Sequence, residues 1–198
     1  MMSFINKIKK IYRLVVRKNI KKQLAYVGTN VSIPADIIVA GEKNIEIHNN
    51  VNLGKGVVLF ATNARIIIKQ WFISSHNLKI ITGDHERRIG RFCASITEKE
   101  KNHDIDLDQD VIINEDVWCG MNVIILKGVT IGRGCTICAG AVVTKSTPPY
   151  AIIGGIPAKI IKFYWSIDEI IRHEAVVYPK EERFTRDELE NIFSQYEK

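Results

Sequence analysis

Between residues 111 and 143, inward-type residues come in pairs that recur every six positions: Val111 and Ile113, Val117 and Cys119, Val123 and Ile125, Val129 and Ile131, Cys135 and Ile137, Ala141 and Val143. A spacing of two puts both side chains of a pair on one face of a short strand, and the three residues between pairs must turn a corner. Asn114, Gly120, Gly128, Gly132, Gly134 and Gly140 fall at those corners, all residue types that tolerate positive φ. An α-helix cannot carry the pattern, because six residues advance its face by about 240°. The same period returns upstream at Val27, Ile33 and Val39, at Ile47, Leu53 and Leu59, and at Ile68, Ser74 and Ile80. Such a repeat predicts an all-β solenoid whose flat coils bury their apolar sides only by stacking on one another. An ordinary sheet of alternating strands is the competing account, and six consecutive repeats in register weigh against it.

Both ends of the repeat depart from it. Phe4, Ile8, Ile11, Val15 and Leu24 share one stripe of a basic amphipathic helix over residues 1–24. Two readings stand for this helix: a cap on the open end of the coil, which we favour because a solenoid must protect its termini, and a contact with an anionic membrane surface. Beyond the coil, over residues 163–198, Ser166-Ile167-Asp168-Glu169 and Thr185-Arg186-Asp187-Glu188 are capping boxes that each open an apolar-periodic run, so two short helices are expected, separated by Pro179. Leu189, Ile192, Phe193 and Tyr196 form the packing face of the second. The coil itself is expected over residues 25–162, with a non-repeating loop at 86–110.

Charge narrows the function classes. The net charge of +6 is concentrated in residues 1–24, where eight basic residues meet no acidic one; the rest of the chain has 20 basic against 22 acidic residues and is not expected to bind nucleic acid. The four cysteines suggest reduced thiols in the cytoplasm, and the interleaved charges of the N-terminal stretch predict neither a secretion leader nor a spanning helix there. Cys135-Thr136-Ile137-Cys138 has the spacing of a metal or redox motif. The repeat explains it better, with Cys135 in an inward slot and Cys138 at a corner, and no metal site is expected.

Several segments go beyond the period: Ile80-Ile81-Thr82-Gly83-Asp84-His85, Asp116-Val117-Trp118-Cys119-Gly120, Gly128-Val129-Thr130-Ile131-Gly132, Ala139-Gly140-Ala141-Val142-Val143-Thr144-Lys145 and Gly154-Gly155-Ile156-Pro157-Ala158-Lys159. In these the chain resembles the left-handed β-helix acyltransferases, especially the galactoside, maltose, streptogramin and polysaccharide O-acetyltransferases, over about residues 27–162. The resemblance implies a left-handed parallel β-helix, a homotrimer with active sites between subunits, and transfer of an acetyl group from acetyl-CoA to a hydroxyl of a sugar or glycan.

Acyl transfer from a thioester to a hydroxyl needs a base for the proton, donors for the developing oxyanion and cations for the coenzyme phosphates. His85 stands at the mouth of the loop and matches the family's catalytic histidine; an imidazole, with an ordinary pKa near about 6.5, is largely neutral at neutral pH and can accept a proton. His103, farther along the loop, is a second candidate, and His76, at a turn, is a weaker one. By resemblance Trp118, Gly120, Ala139, Thr144, Lys145, Lys159 and Lys162 meet the coenzyme, and Asn63 meets the acceptor. Asp84 is placed to orient the imidazole, and Arg87 and Arg88 either recognise an anionic acceptor or form surface pairs. Acetylation of a streptogramin-type antibiotic and a non-catalytic scaffold are the alternatives.

Overall fold

The computed structural model describes residues 19–102 and 107–196, together with Asn6. Three parallel sheets run its length. The first contains β1 (Tyr26–Val27), β3 (Ile45–Ile47), β5 (Ile66–Ile68), β8 (Val111–Ile113) and β11 (Thr130–Ile131). The second contains β6 (Ile73–Ser74), β9 (Trp118–Cys119), β12 (Thr136–Ile137), β14 (Ala151–Gly155) and β15 (Ala158–Phe163). The third contains β2 (Ile38–Ala40), β4 (Val58–Phe60), β7 (Lys79–Ile81), β10 (Ile124–Ile125) and β13 (Val142–Val143).

From β5 to β13 the chain visits the three sheets in rotation, and strand partners lie one full coil apart: Ile113 pairs with Ile131, Cys119 with Ile137, Ile125 with Val143. Six residues per face and three faces per coil give a β-helix-like prism. The expected pairs point inward: of the twelve side chains from Val111 to Val143 named above, all are buried. Upstream, Ile47, Leu53, Leu59, Ile68 and Ile80 are buried with them, and Ser74 occupies an inward slot by accepting a hydrogen bond from the Gly54 amide at 3.1 Å.

The corner glycines divide by cause. Gly128, Gly134 and Gly140 have positive φ, as expected, but Asn114, Gly120 and Gly132 are not among the positive-φ residues. Gly120 is required instead by stacking, since a β-carbon there would lie 2.6 Å from the Ala139 nitrogen of the next coil.

At the N-terminal end, residues 19–23 are helical, and Leu24 is buried in the coil's core with Ile20 against it. Phe4, Ile8, Ile11 and Val15 lie outside the described residues. At the other end β15 returns antiparallel along β14 through the Ile156–Pro157 turn, an element the hexad period does not predict. The two expected helices follow at Ile167–Val177 and Arg186–Ser194, each opened by its capping box. They attach through a buried carboxylate: Glu174, 1% exposed, accepts from the Tyr150 hydroxyl at 2.8 Å, the Arg133 guanidinium at 3.1 Å and the Phe184 amide at 2.6 Å. Arg133 in turn lies 4.1 Å over the Tyr178 ring.

The loop leaves the coil after β7 and returns into register at β8, which pairs with β5 as Ile66 with Val111 and Ile68 with Ile113. Its ends zip together: Asp84 donates its amide to Leu107 at 2.9 Å and Gln109 to Thr82 at 2.8 Å. The Asp110 carboxylate accepts from the backbone amide and the guanidinium of Arg65, at 2.8 Å in each case. Inside the loop, the buried Glu86 carboxylate receives the Arg88 guanidinium and, at 2.7 Å, the Asn102 amide; Arg88 also reaches the Glu100 carbonyl. Arg88, itself one of the candidate acceptor residues, is therefore a staple of the loop.

Those contacts set the loop's response to acid. The Arg88 guanidinium, then the Asn102 amide, hold the Glu86 carboxyl below its ordinary value, and the Arg91 guanidinium with Thr97 lowers Glu100 to about 2. A carboxyl whose folded pKa is depressed favours the folded loop above its unfolded pKa and ceases to do so as pH falls through the folded value. Amide exchange of residues 89–96 should thus show protection that, after correction for intrinsic rates, is constant above the ordinary carboxylate value of 4.5 and declines stepwise below it. Glu86→Gln should remove most of that protection already at neutral pH while the coil stays protected.

Candidate functional site

His85 takes its place from the loop's zipper. Thr82 is buried and its hydroxyl donates to the Phe60 carbonyl at 3.2 Å, and Gly83 bridges Asp108 on the returning strand. The chain thus reaches His85 at the mouth of the loop, on the corner between the third and first sheets, with its imidazole exposed. A cavity of about 220 Å³ opens beside it, lined among others by Asn63, Asp84, Glu98, Lys101 and Asp108.

Asn63 comes from the same corner one coil earlier, and its amide nitrogen donates to Glu98 at 2.6 Å and to Asp108 at 3.2 Å. Lys101 is only 7% exposed and lies 2.7 Å from Asp108 and 3.6 Å from Glu98. Burial works against its ammonium, but the hydrogen bond and charge of Asp108, with those of Glu98, leave its pKa raised. The loop therefore folds over Asn63 through one buried cation shared by two carboxylates. Glu98, Lys101 and Asp108 carry no signature in the sequence: they sit at no repeat position, and their meeting depends on the fold of the loop.

The other expected acceptor residues divide. Asp84 lines the cavity, and its carboxylate is 3.1 Å from the Lys127 ammonium of the next coil, an ion pair along the corner. Arg88 is held by Glu86, and Arg87 is exposed; neither lines the cavity. His76 accepts the Lys55 amide at Nδ1, 3.1 Å away, on the corner between the second and third sheets, and so caps a turn remote from this cleft. His103 lies outside the described residues.

The expected coenzyme residues occupy two places. Lys145, Lys159 and Lys162 line one cavity of about 540 Å³ with Val143 and Ile160, and none of the three is ion-paired among the described residues. Thr144 is exposed beside Lys145, just beyond β13. Trp118, 53% exposed, stands on the outer side of β9 in the second sheet, with Gly120 and Ala139 packed together at the corner that follows. His85 and Trp118 thus lie on different edges of one prism.

The cysteines behave as the repeat requires. Burial pushes the Cys119 and Cys135 thiols above their ordinary pKa, and Cys135 lies inward, 2.9 Å from the Pro148 carbonyl. Among the described residues, no group of three histidine, cysteine or acidic side chains is placed to hold a metal ion. No helix among them is long and apolar enough to cross a membrane.

The bacterial transferase hexapeptide model, of six repeats, matches residues 110–145. A chloramphenicol acetyltransferase of Agrobacterium fabrum is 48% identical over 61 residues, which are 31% of this chain and 29% of that protein; the match therefore spans under a third of the relative. Among solved structures, a hexapeptide-repeat acetyltransferase of Vibrio cholerae complexed with acetyl-CoA superposes with a TM-score of 0.64 at 25% identity, covering 74% of this chain and 75% of that one. A maltose O-acetyltransferase of Clostridium difficile shares the fold with a TM-score of 0.58 at 23% identity, over 83% and 86% of the two chains. The six-residue period, the three-sided coil it builds and these likenesses together show that residues 110–145 carry the transferase hexapeptide repeat and that the chain resembles the hexapeptide-repeat acetyltransferases in fold.

Proposed function

We propose that this protein transfers the acetyl group of acetyl-CoA to a hydroxyl of a sugar or surface-polysaccharide precursor, with His85 as general base. The observation that carries this reading is the cleft at the loop's mouth, where an exposed imidazole stands beside Asn63 over a cavity of about 220 Å³. The lysine-lined cavity supports it, because three cations around about 540 Å³ suit the phosphates of a nucleotide coenzyme.

Acetyl-CoA, when bound, supplies the acetyl carbonyl as a thioester. His85 takes the proton of the acceptor hydroxyl as its oxygen attacks, and the backbone amide of Ala139, beside Gly120, meets the developing oxyanion. Lys145, Lys159 and Lys162 hold phosphate oxygens, and Trp118 lies along the pantetheine or adenine. The protonated His85 then gives its proton to the departing sulfur, and the direct mechanism forms no acyl-enzyme.

On a single prism these groups are spread over two edges, which supports an active site between copies and hence a homotrimer of left-handed coils. Ile89 and Phe92 on the loop are 106% and 87% exposed, and a second copy would cover them. A second reading rests on the chloramphenicol acetyltransferase relative: the acceptor is an antibiotic hydroxyl, acetylated by the same groups.

Sedimentation equilibrium should give a particle near three times 22.5 kDa, and a monomer at micromolar concentration would count against a shared site. In steady-state assays with thiol detection, His85→Ala should lower turnover by roughly 10² to 10⁴ with coenzyme binding nearly intact. Lys145→Ala should do the reverse, weakening coenzyme affinity about ten- to a hundredfold with a smaller change in turnover. Running sugars and chloramphenicol as acceptors side by side separates the two readings, and failure to bind coenzyme A at all would leave only a scaffold.

A further inference from the structure

The lining beside His85 is one-sided in its hydrogen bonding. Both functions of the Asn63 amide nitrogen are taken up by Glu98 and Asp108, which leaves its carbonyl oxygen to accept. Among the described residues Lys101 is the lining's one lysine or arginine, and it is buried between the same two carboxylates. Asp84 is neutralised from outside the cavity by Lys127. What remains facing a bound molecule is dominated by acceptors, the Asn63 carbonyl and the carboxylates of Glu98 and Asp108, with the His85 ring and the Thr62 hydroxyl able to donate or accept. Two carboxylates share one ammonium, so this trio carries a net negative charge, and it is concentrated on Glu98, which is 58% exposed where Asp108 is 13% exposed.

Resting on the acetyl-transfer reading above, we infer that Glu98, carried over Asn63 by the loop, is the specificity-determining residue of this cleft and restricts it to acceptors that are rich in hydroxyl donors and free of carboxylate. A hydroxylated ring can donate to each of the acceptors. A carboxylate on the same ring would face Glu98 in a partly desolvated cavity where no arginine among the described residues lines the wall, because Arg88 is bound to Glu86 and Arg87 lies outside the lining. The arginines beside His85 therefore do not make this an anion-recognising site.

Matched sugars that differ only in a carboxylate test this directly: glucose against glucuronate, and galactose against galacturonate. Their binding to the coenzyme-saturated protein is read by saturation-transfer NMR, and acetylation by coenzyme release in parallel. The neutral member of each pair should bind about tenfold more tightly, Glu98→Gln should narrow the gap to roughly threefold, and Glu98→Lys should invert it. The changes should appear in binding and KM rather than in coenzyme affinity. Equal binding of the two members, preference for the uronate, absence of neutral-sugar binding, or an unchanged ratio in both variants would overturn the assignment. Charge preference in binding without coenzyme release would support the role of Glu98 and count against acetyl transfer, which keeps the two readings separable.

Discussion

Ile47, Ile68, Ile113 and Ile131 form a column inside the first sheet, each flush with the coil before and the coil after it. No coil can bury such a side chain alone, and none can satisfy its own backbone, because the ladder hydrogen bonds run between coils. Stacking is the constraint to which everything else answers. It requires small or glycine corners where coils meet, as at Gly120, and it leaves outer coils against which Ile20 and Leu24 pack at one end and the antiparallel β15 lies at the other. It also aligns corner residues of successive coils, and so brings Asn63 to the side of His85 across a gap in sequence that no local motif spans.

This dependence explains which features were legible in the sequence. An inward pair is a local requirement repeated many times, so the period, the buried positions and even the polar exception at Ser74 are written plainly in the chain. Capping boxes are equally local, and both helices begin where Ser166 and Thr185 place them. The loop is another matter. The use of Arg88 to bind Glu86, the shared ammonium of Lys101 and the descent of Glu98 onto Asn63 are single events without repetition, fixed by a path through space. Read in sequence, two arginines after a histidine leave both an anion site and surface pairs open; folded, one is a staple and the other stands away from the cavity.

The C-terminal helices illustrate a different limit. Their amphipathic faces predict that they pack, but the partner is set by one buried carboxylate. Glu174 gathers Tyr150, Arg133 and the Phe184 amide, and burial with that carboxylate beside it pushes the Tyr150 hydroxyl well above its ordinary pKa. Such a cluster is costly to bury unless each member is satisfied, and here the three donors satisfy the carboxylate together. It ties the helices to one corner of the coil at Arg133, on the edge away from His85.

The zipper between Thr82 and Gln109 brings the two ends of the loop within a hydrogen bond of each other before any loop residue is considered. The entropy of closing a segment between such fixed ends grows only with the logarithm of its length. The coil is therefore nearly indifferent to what is inserted at this corner, in length or in composition, so long as Val111 returns opposite Ile66. The scaffold and its loop are in this sense independent: the corner is a socket into which another loop can be fitted without disturbing the stack beneath.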